Sequence, residues 1–330
     1  MADSHSISSD AYAIQIRTAI DELRNDRASG AAKQTLRAAR VLVECAEHTP
    51  EDLREIAGAL AAAQPAVGSI LNLAARAPCS SDVAAACREF LESMEQTTAR
   101  VAERAGALVS EGATVMTHSF SSTILTALRQ AFWDNKRFSV ICPESRPICE
   151  GVAMAASLGM VGIPVSLIAD SAIHHMLSGV QLVLLGADAA SPRGIFNKTG
   201  TALLALAARE LRVPVYVLCP SCKFLPPFYE PPLETPKNPR ELLEHDLPHV
   251  TVVNHHFDIT PLEYVSGIVT EDGILKPGEL REKLLTGTSA PPEWALLGSG
   301  KPQDKCLSDC SRSQSPNWPP AAENYDGTCI

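Results

Sequence analysis

Four short apolar runs, rich in β-branched residues, divide the middle of this chain at regular intervals. They lie at residues 138–142, 163–168, 181–185 and 213–218. Alanine-rich or short segments with helical character separate them, at residues 149–158, 171–177 and 199–210. Strands that read as continuous apolar runs and alternate with helices are typical of a parallel sheet covered on both faces. The pattern therefore predicts an α/β domain.

The sequence on either side of these runs has a different character. Residues 11–110 carry apolar positions at three- and four-residue spacing, which predicts amphipathic helices, one of them capped by Ser80, Ser81 or Asp82. A strand at 114–117 and a helix at 124–133 lead into the sheet. After it come a proline-rich surface connection (226–248), strands at 250–253 and 265–270, and a helix at 277–285.

These changes predict three parts. We expect a helical domain over residues 1–112, a sheet domain over 113–287, and a disordered tail over 288–330, where Pro, Ser, Gly and Cys dominate.

Composition narrows the range of functions. The net charge of −10 argues against direct binding of nucleic acid, which needs a basic face. No apolar run approaches the roughly 20 residues of a membrane span. The N-terminus lacks the pattern of a secretory signal, so we expect a cytoplasmic protein whose ten cysteines are reduced thiols.

Polar side chains crowd at the ends of the predicted strands. Because ligands of such sheets bind in the crevice outside the carboxyl ends of the strands, these ends predict a binding site. The residues concerned are Glu144, Ser145 and Arg146 after the first run, Asp170 after the second, Asp188 after the third, and Ser221 and Lys223 after the fourth.

The turn after the strand at 114–117 has the character of an anion site. His118 and Ser119 are followed by Ser121, Ser122 and Thr123 at the start of a helix, where free backbone N–H groups attract negative charge. Capping of the helix accounts for one or two of these hydroxyls but not readily for all of them.

Two small-residue turns interrupt the N-terminal helices. The first, at 26–32, places Arg27 and Gly30 at a helix start suited to phosphate, and the second lies at 63–69. Each is also compatible with a plain connection between helices.

Neither metal nor redox chemistry is favoured. His255 and His256 are adjacent, but no carboxylate or cysteine stands at ligand spacing beside them. Cys219 and Cys222 have the spacing of a redox or zinc half-site without a suitable second pair, so turn cysteines are the default interpretation. We expect no metal and no cofactor.

Seven motifs in order carry a family resemblance over about residues 110–285. They are THSFSST, PESRPICEG, GIPVSLIADSAI, LLGADA, NKTGTALLALAA, VPVYVLCPSCKF and FDITPLEYVSGIVTEDGIL. The chain resembles the regulatory alpha/beta/delta subunits of eukaryotic translation initiation factor 2B, whose superfamily includes methylthioribose-1-phosphate isomerase and ribose-1,5-bisphosphate isomerase. The resemblance implies an N-terminal helical domain followed by a Rossmann-like domain, pairing into dimers, and a sugar phosphate held between the domains.

The resemblance also implies roles for single residues. Asp188 matches the isomerases' catalytic acid/base, and Asn197 and Lys198 match their substrate-holding pair. Lys223 and Arg146 match ligand-binding positions. From the residues alone, the alternative for Asp188 is a turn cap. The alternative for Lys198 is a solvated surface cation, but it opens a predicted helix at Thr199, where an anion would also be favourable.

Two departures from the isomerase pattern leave the function open. Ser119 replaces a reactive cysteine, and a serine hydroxyl needs a strong adjacent base. Gln64 replaces a phosphate-binding arginine. One hypothesis is a regulatory subunit that binds a sugar phosphate or nucleotide and forms a homodimer or a hetero-oligomer with homologous subunits. The other is an aldose-phosphate isomerase using Asp188; a redox or metal protein built on Cys219 and Cys222 is a third.

Overall fold

The N-terminal part of the chain is helical. The computed structural model describes residues 9–26, 29–229, 231, 237–286 and 294, with side chains from residue 12 onward. The helices are α1 (Ser9–Asn25), α2 (Ala31–His48), α3 (Leu53–Ala63), α4 (Gly68–Arg76) and α5 (Val83–Leu108). Asp82 is the residue that caps α5, and its Oδ1 accepts a hydrogen bond of 2.8 Å from the Ala85 N–H. The predicted helices are confirmed.

These helices form around a shared apolar core because each has one buried stripe. In α2 the buried positions include Ala31, Thr35, Ala38, Leu42 and Cys45, which follow the three- and four-residue spacing of an amphipathic helix. A hydrogen bond of 2.7 Å between the Thr35 and Ser69 hydroxyls joins α2 to α4 inside this core.

Within the described residues, ten strands follow in two sheets. They are β1 (Thr114–Met116), β2 (Ser139–Pro143), β3 (Val165–Ile168), β4 (Leu182–Gly186), β5 (Ala189–Ser191), β6 (Gly194–Lys198), β7 (Val215–Leu218), β8 (Phe257–Thr260), β9 (Gly267–Val269) and β10 (Ile274–Leu275). The larger sheet has the order β10-β9-β7-β4-β1-β2-β3, and all its pairs are parallel except β9 with β10. The predicted α/β fold with a Rossmann-like parallel sheet is confirmed.

Helices cover both faces of this sheet. They are α6 (Ser122–Trp133), α7 (Glu150–Gly159), α8 (Ile173–Leu177), α9 (Thr201–Glu210) and α10 (Pro277–Thr286). On one face Ile124 and Leu128 of α6 and Leu158 of α7 are fully buried, and on the other face Leu204 of α9 and Leu280 of α10 are fully buried. Burial on both faces explains why the strands read as unbroken apolar runs.

The smaller sheet was not predicted, and it corrects one expectation. Strands β5, β6 and β8 form an antiparallel sheet in which Asn197 pairs with Asp258 and Lys198 with Phe257. Asn197 and Lys198 therefore end a strand and do not open a helix at Thr199. The helix begins at Thr201, after Gly200, whose φ of 96° reverses the chain.

The predicted strand at 250–253 is wrong. That stretch forms no strand, and the side chains of Val250 and Val253 are 52% and 63% exposed. β-branched residues favour a strand only where a neighbouring strand and a buried face are available. The strand lies further along, at β8.

Helix α5 belongs to two cores. Val83 and Cys87, near its start, pack in the core of the N-terminal helices. Val101, Ala102 and Ala105, near its end, pack with β1 and α6 against the large sheet. The division into domains at residue 112 stays a prediction.

The predicted disordered tail, 288–330, lies outside the described residues except for Trp294. This side chain is buried against Tyr229, with ring centroids 5.2 Å apart. Among the helices of the described residues, none combines the length and the apolar character needed to cross a membrane.

Candidate functional site

The order of the large sheet places a crevice between β1 and β4. The chain leaves β1 toward β2 on one side and continues from β4 toward β7 on the other, so the connections diverge at this point. Such a switch point leaves room for a ligand at the carboxyl ends of the strands. Ser121 caps α6 on the β1 side, and Asp188 follows β4.

Asp188 lies on the cavity wall at this switch point. Its backbone N–H donates to the Phe196 carbonyl at 2.8 Å, and its carbonyl accepts from the Gly68 N–H at 2.9 Å. Its carboxylate accepts no hydrogen bond from the described residues, so the capping interpretation of Asp188 has no support in the structure. Burial raises the pKa of Asp188 to about 6, against the lowering effect of Lys223 and Lys198.

Lys198 is a buried cation on the same wall. Its side chain is 4% exposed, and its Nζ lies 2.8 Å from Oε2 of Glu150, at the start of α7. The alternative of a solvated surface lysine is therefore wrong. A buried lysine needs a counter-charge, and Glu150 provides it.

Lys223 is held by the N-terminal helices. Its Nζ donates to the Ala187 carbonyl at 2.6 Å, directly before Asp188. The Asn72 side-chain amide, from α4, donates to the Cys222 and Phe224 carbonyls at 2.8 and 2.9 Å. A Cβ at Gly68 would lie 2.5 Å from the Lys223 carbonyl oxygen, so this close approach requires glycine. The helices thus fix both Asp188 and Lys223.

The turns after β1 and β2 support each other. Ser119 and Ser145 both adopt positive φ, 62° and 63°, and the Ser119 N–H donates to the Ser145 Oγ at 2.8 Å. The backbone N–H groups of Ser145 and Arg146 donate to the Asp170 carboxylate, each at 2.7 Å. Left-handed non-glycine residues often cluster at functional sites, where the surroundings hold them in place.

His118 does not activate Ser119. Its Nε2 lies 2.8 Å from the Thr199 carbonyl and its Nδ1 lies 3.3 Å from the Ser145 Oγ. Since a carbonyl only accepts, Nε2 carries the proton, and both ring nitrogens are already engaged. Burial lowers the pKa of His118, which favours this neutral form. The Ser119 hydroxyl has no base bonded to it among the described residues.

Two adjoining cavities that share lining residues lie at the switch point. The outer one, of about 290 Å³, lies between the helices and the sheets, and the inner one measures about 70 Å³. Residues that line both are Gly30, Ala31, Phe120, Asp188, Lys198 and Phe257. The inner cavity also receives Ser119, Ser121, Ser122, Asn197 and Lys223. The sequence therefore identified residues that the fold brings together.

Arg146 lies apart from the predicted residues that line the cavities, and Asn197 also has a structural role. Arg146 is exposed and lines neither cavity; its Nη2 donates to the Glu241 carbonyl at 3.2 Å. Arg27 lies outside the described residues. Asn197 is buried, and its Nδ2 donates to the Thr201 Oγ1 at 3.0 Å, so it also secures the start of α9.

The sequence did not indicate that residues of the irregular segment before β8 line the outer cavity. Lys237, Asn238 and His256 line this cavity, although the connection at 226–248 was expected to run over the surface. His256 Nε2 lies 2.6 Å from Glu241 Oε2, which also accepts from the Asn254 amide at 2.7 Å. No local periodicity marks these contacts, because they join residues of an irregular segment.

The cysteines near the site are not reactive thiolates. Cys219 and Cys222 are both free, and burial raises the pKa of Cys219 to about 12 and that of Cys222 to about 11. A nucleophilic cysteine requires a lowered thiol pKa. The structure therefore gives no support to the redox interpretation of this pair.

Known proteins share this architecture. A ribose 1,5-bisphosphate isomerase of Archaeoglobus fulgidus is 33% identical over 282 residues, covering 80% of this chain and 90% of that protein. The crystal structure of a Pyrococcus horikoshii translation initiation factor eIF-2B matches with a TM-score of 0.73 and 31% identity, covering 80% of this chain and 97% of that one. A chain of the tetrameric eIF2B-beta2-delta2 complex of C. thermophilum matches in fold, with a TM-score of 0.64 and 21% identity, covering 82% and 94% of the two chains.

The family resemblance is confirmed over most of the sequence. Residues 7–277 match the initiation factor 2 subunit family, a stretch that spans both the N-terminal helices and the sheets. Relatives of this chain include both initiation-factor subunits and sugar-phosphate isomerases. On this evidence the chain belongs to the initiation factor 2 subunit family.

Proposed function

We propose that this chain is an initiation factor 2B-like regulatory subunit that binds a small sugar phosphate or nucleotide in the cavity at the switch point. The observation that carries the proposal is the convergence of Lys198, Lys223 and the start of α6 on one small cavity beside Asp188. Ammonium groups and free N–H groups at a helix start favour a phosphate. The Asp188 carboxylate is suited to accept hydrogen bonds from sugar hydroxyls.

Among the described residues, no activated group accompanies Asp188 as the second acid or base. This favours ligand binding over isomerisation. Isomerisation of an aldose moves a proton between adjacent carbons and needs an acid and a base of suitable pKa. Asp188 can serve as one of them. Ser119 is the natural second group by position, but among the described residues no base is bonded to its hydroxyl, and an unassisted hydroxyl does not ionise near neutral pH.

Isothermal titration calorimetry tests the proposal directly. Ribose 1,5-bisphosphate and methylthioribose 1-phosphate are the ligand probes, AMP is the nucleotide probe, and inorganic phosphate is the reference. We expect Lys223→Met to weaken binding at least tenfold, because it removes one charge-assisted contact. Lys33→Met is the matched control, since Lys33 is an exposed lysine of α2 that lines neither cavity. Lack of binding by every probe, or equal loss in both variants, contradicts the proposal.

The second candidate is an aldose-phosphate isomerase. It is favoured by the position of Asp188 on the wall of both cavities, where burial raises the pKa of its carboxyl to about 6 and suits it to proton exchange near neutral pH. In that case Asp188→Asn abolishes conversion of aldose to ketose, whereas Ser119→Cys does not reduce it. Ketose formation by the unaltered protein at enzyme-like rates would exclude a purely regulatory role.

We further propose that the chain pairs with itself or with a homologous subunit. Leu203 and Leu206 of α9 are 66% and 44% exposed, an apolar surface of the kind that subunits cover. The tetrameric assembly of the C. thermophilum relative supports this proposal. Light scattering of the full chain should give at least a dimer mass. A monomer mass at micromolar concentration, alone and with candidate subunits, contradicts the proposal.

A further inference from the structure

We propose that Glu150 is a positioning residue of this site, which holds the Lys198 ammonium on the cavity wall and keeps a negative charge beside Asp188. Glu150 lies on α7, and Lys198 ends β6, so their ion pair of 2.8 Å joins the large sheet's covering helix to the small sheet. The part of the inference that concerns a ligand rests on the proposed function.

The backbone around Glu150 is fixed by close packing. A Cβ at Gly151 would lie 1.8 Å from the Pro143 carbonyl oxygen, so the start of α7 can press against the end of β2 only because glycine stands there. The Gly151 N–H donates to the Glu144 carbonyl at 3.1 Å. Glu150 is therefore set at one place relative to the strand ends, and its side chain reaches Lys198 from there.

Stabilisation of the helix start is the simpler explanation for an acidic residue at this position, but the contacts of Glu150 do not support it. Such a residue usually interacts with the helix dipole or accepts from free N–H groups. Oε2 of Glu150 is buried and accepts no backbone hydrogen bond from the described residues; the group it faces is the Lys198 ammonium. Glu150 is 22% exposed at its side chain, so it is turned inward although it begins a surface helix.

The negative charge of Glu150 affects the ionisation of Asp188. The charges that act on Asp188 are those of Lys223 in the turn after β7, Glu150 of α7 and Lys198 of β6. The two lysines favour the ionised carboxylate, and the negative charge of Glu150 opposes them. The wider cavity wall adds Arg24, Asp26, Lys237 and His256. Burial is the main cause of the raised pKa of Asp188, and the charge of Glu150 adds to it against the two ammonium groups.

A carboxyl titration by ¹³C NMR tests this directly, with no need for activity. In the full chain labelled at aspartate carboxyls, the Asp188 signal is identified by its loss in Asp188→Asn. We expect Glu150→Gln to lower the Asp188 midpoint by about one pH unit, because a neighbouring like charge is removed. Glu144→Gln, a carboxyl of the same loop that lines neither cavity, should leave the midpoint unchanged. An unchanged midpoint in Glu150→Gln overturns the proposal.

A double variant tests the same role if Glu150→Gln alone does not fold. Glu150→Gln leaves Lys198 buried without its partner, whereas Glu150→Gln/Lys198→Met removes both charges. The Asp188 midpoint should be lower in this double variant than in Lys198→Met alone. Equal midpoints refute the role of Glu150, whatever happens to the single variant.

Ligand binding separates this proposal from the proposed function. If the unaltered chain binds a sugar phosphate, Glu150→Gln should move the pH at which affinity changes to a lower value, and Glu150→Asp should restore it in part. A purely structural Glu150 would lower stability without moving that pH. If the unaltered chain binds no sugar phosphate, the proposed function fails, while the carboxyl titration still decides the role of Glu150.

Discussion

Replacing Asp188 by asparagine should stabilise the folded chain at neutral pH. Asparagine has nearly the same shape and carries no charge, so the change removes the ionisation of this carboxyl and little else. In the folded chain, burial raises the pKa of Asp188 from 3.8 to about 6. The folded state therefore binds this proton more tightly than the unfolded state. It loses stability as the pH rises from about 4 through about 6, and the loss is complete above that range.

The size of the effect follows from the same values. Each whole step in pKa corresponds to about 1.4 kcal/mol. The rise from 3.8 to about 6 thus corresponds to about 3 kcal/mol at pH 7.5 as an upper bound, and to about 2 kcal/mol once the contact of this side chain with cavity water is included. Below pH 4 the aspartate is protonated in both states, so the advantage of the variant should vanish.

Urea unfolding of both proteins between pH 4 and pH 8 checks this expectation. The difference in free energy of unfolding should grow with pH and reach a plateau above pH 6.5. Asp134→Asn, at an exposed helix end, serves as the control and should change stability by less than about 0.5 kcal/mol at every pH. An Asp188→Asn variant that is no more stable than the unaltered chain at pH 7.5 would refute the claim that burial destabilises the ionised form of this carboxyl.

Three further predictions concern the frame of the site. Lys198→Met should lower the free energy of unfolding by about 2 kcal/mol, because it leaves Glu150 without its partner, and the added Glu150→Gln should recover most of that loss in urea unfolding. Gly68→Ala should destabilise the chain by about 1–3 kcal/mol and weaken ligand binding, because the added Cβ would displace the Lys223 turn. The control Gly58→Ala has open space around it and should stabilise the chain by about 0.5–1 kcal/mol. Asp82→Ala should cost about 1 kcal/mol through loss of the α5 cap, whereas the neighbouring exposed Ser81→Ala should have little effect, as measured by thermal unfolding. Equal effects within either matched pair would contradict the stated cause.

The centre of the large sheet could be predicted because its central strands are buried on both faces. Val140 and Val183 lie in unbroken apolar runs, and such runs are visible in the sequence without any knowledge of pairing. The small sheet could not be predicted in this way. Strand β6 ends in Asn197 and Lys198, and its partner β8 lies about 60 residues further along, so only the folded chain brings the two together.

The same distinction holds for the site. Asp188 and Lys223 could be placed because each directly follows a predicted strand, and the ends of parallel strands meet at one edge. Glu150 and His256 could not, because their importance comes from single partners, Lys198 and Glu241, that no periodic pattern connects to them. Ser119 was expected to lack a base, and its surroundings show why: the adjacent imidazole is already bonded on both sides.

The long helix α5 has a consequence for how a small molecule reaches the interior. Its 26 residues form a continuous rod of about 39 Å that is built into the hydrophobic packing at both ends. Because the same helix packs in both cores, we expect it to resist a hinge motion between the N-terminal helices and the large sheet. If the proposed ligand binds, its entry and exit should depend on the irregular stretch around Lys237, Asn238 and His256, which lines the outer cavity. A cross-link within this stretch should then slow both rates.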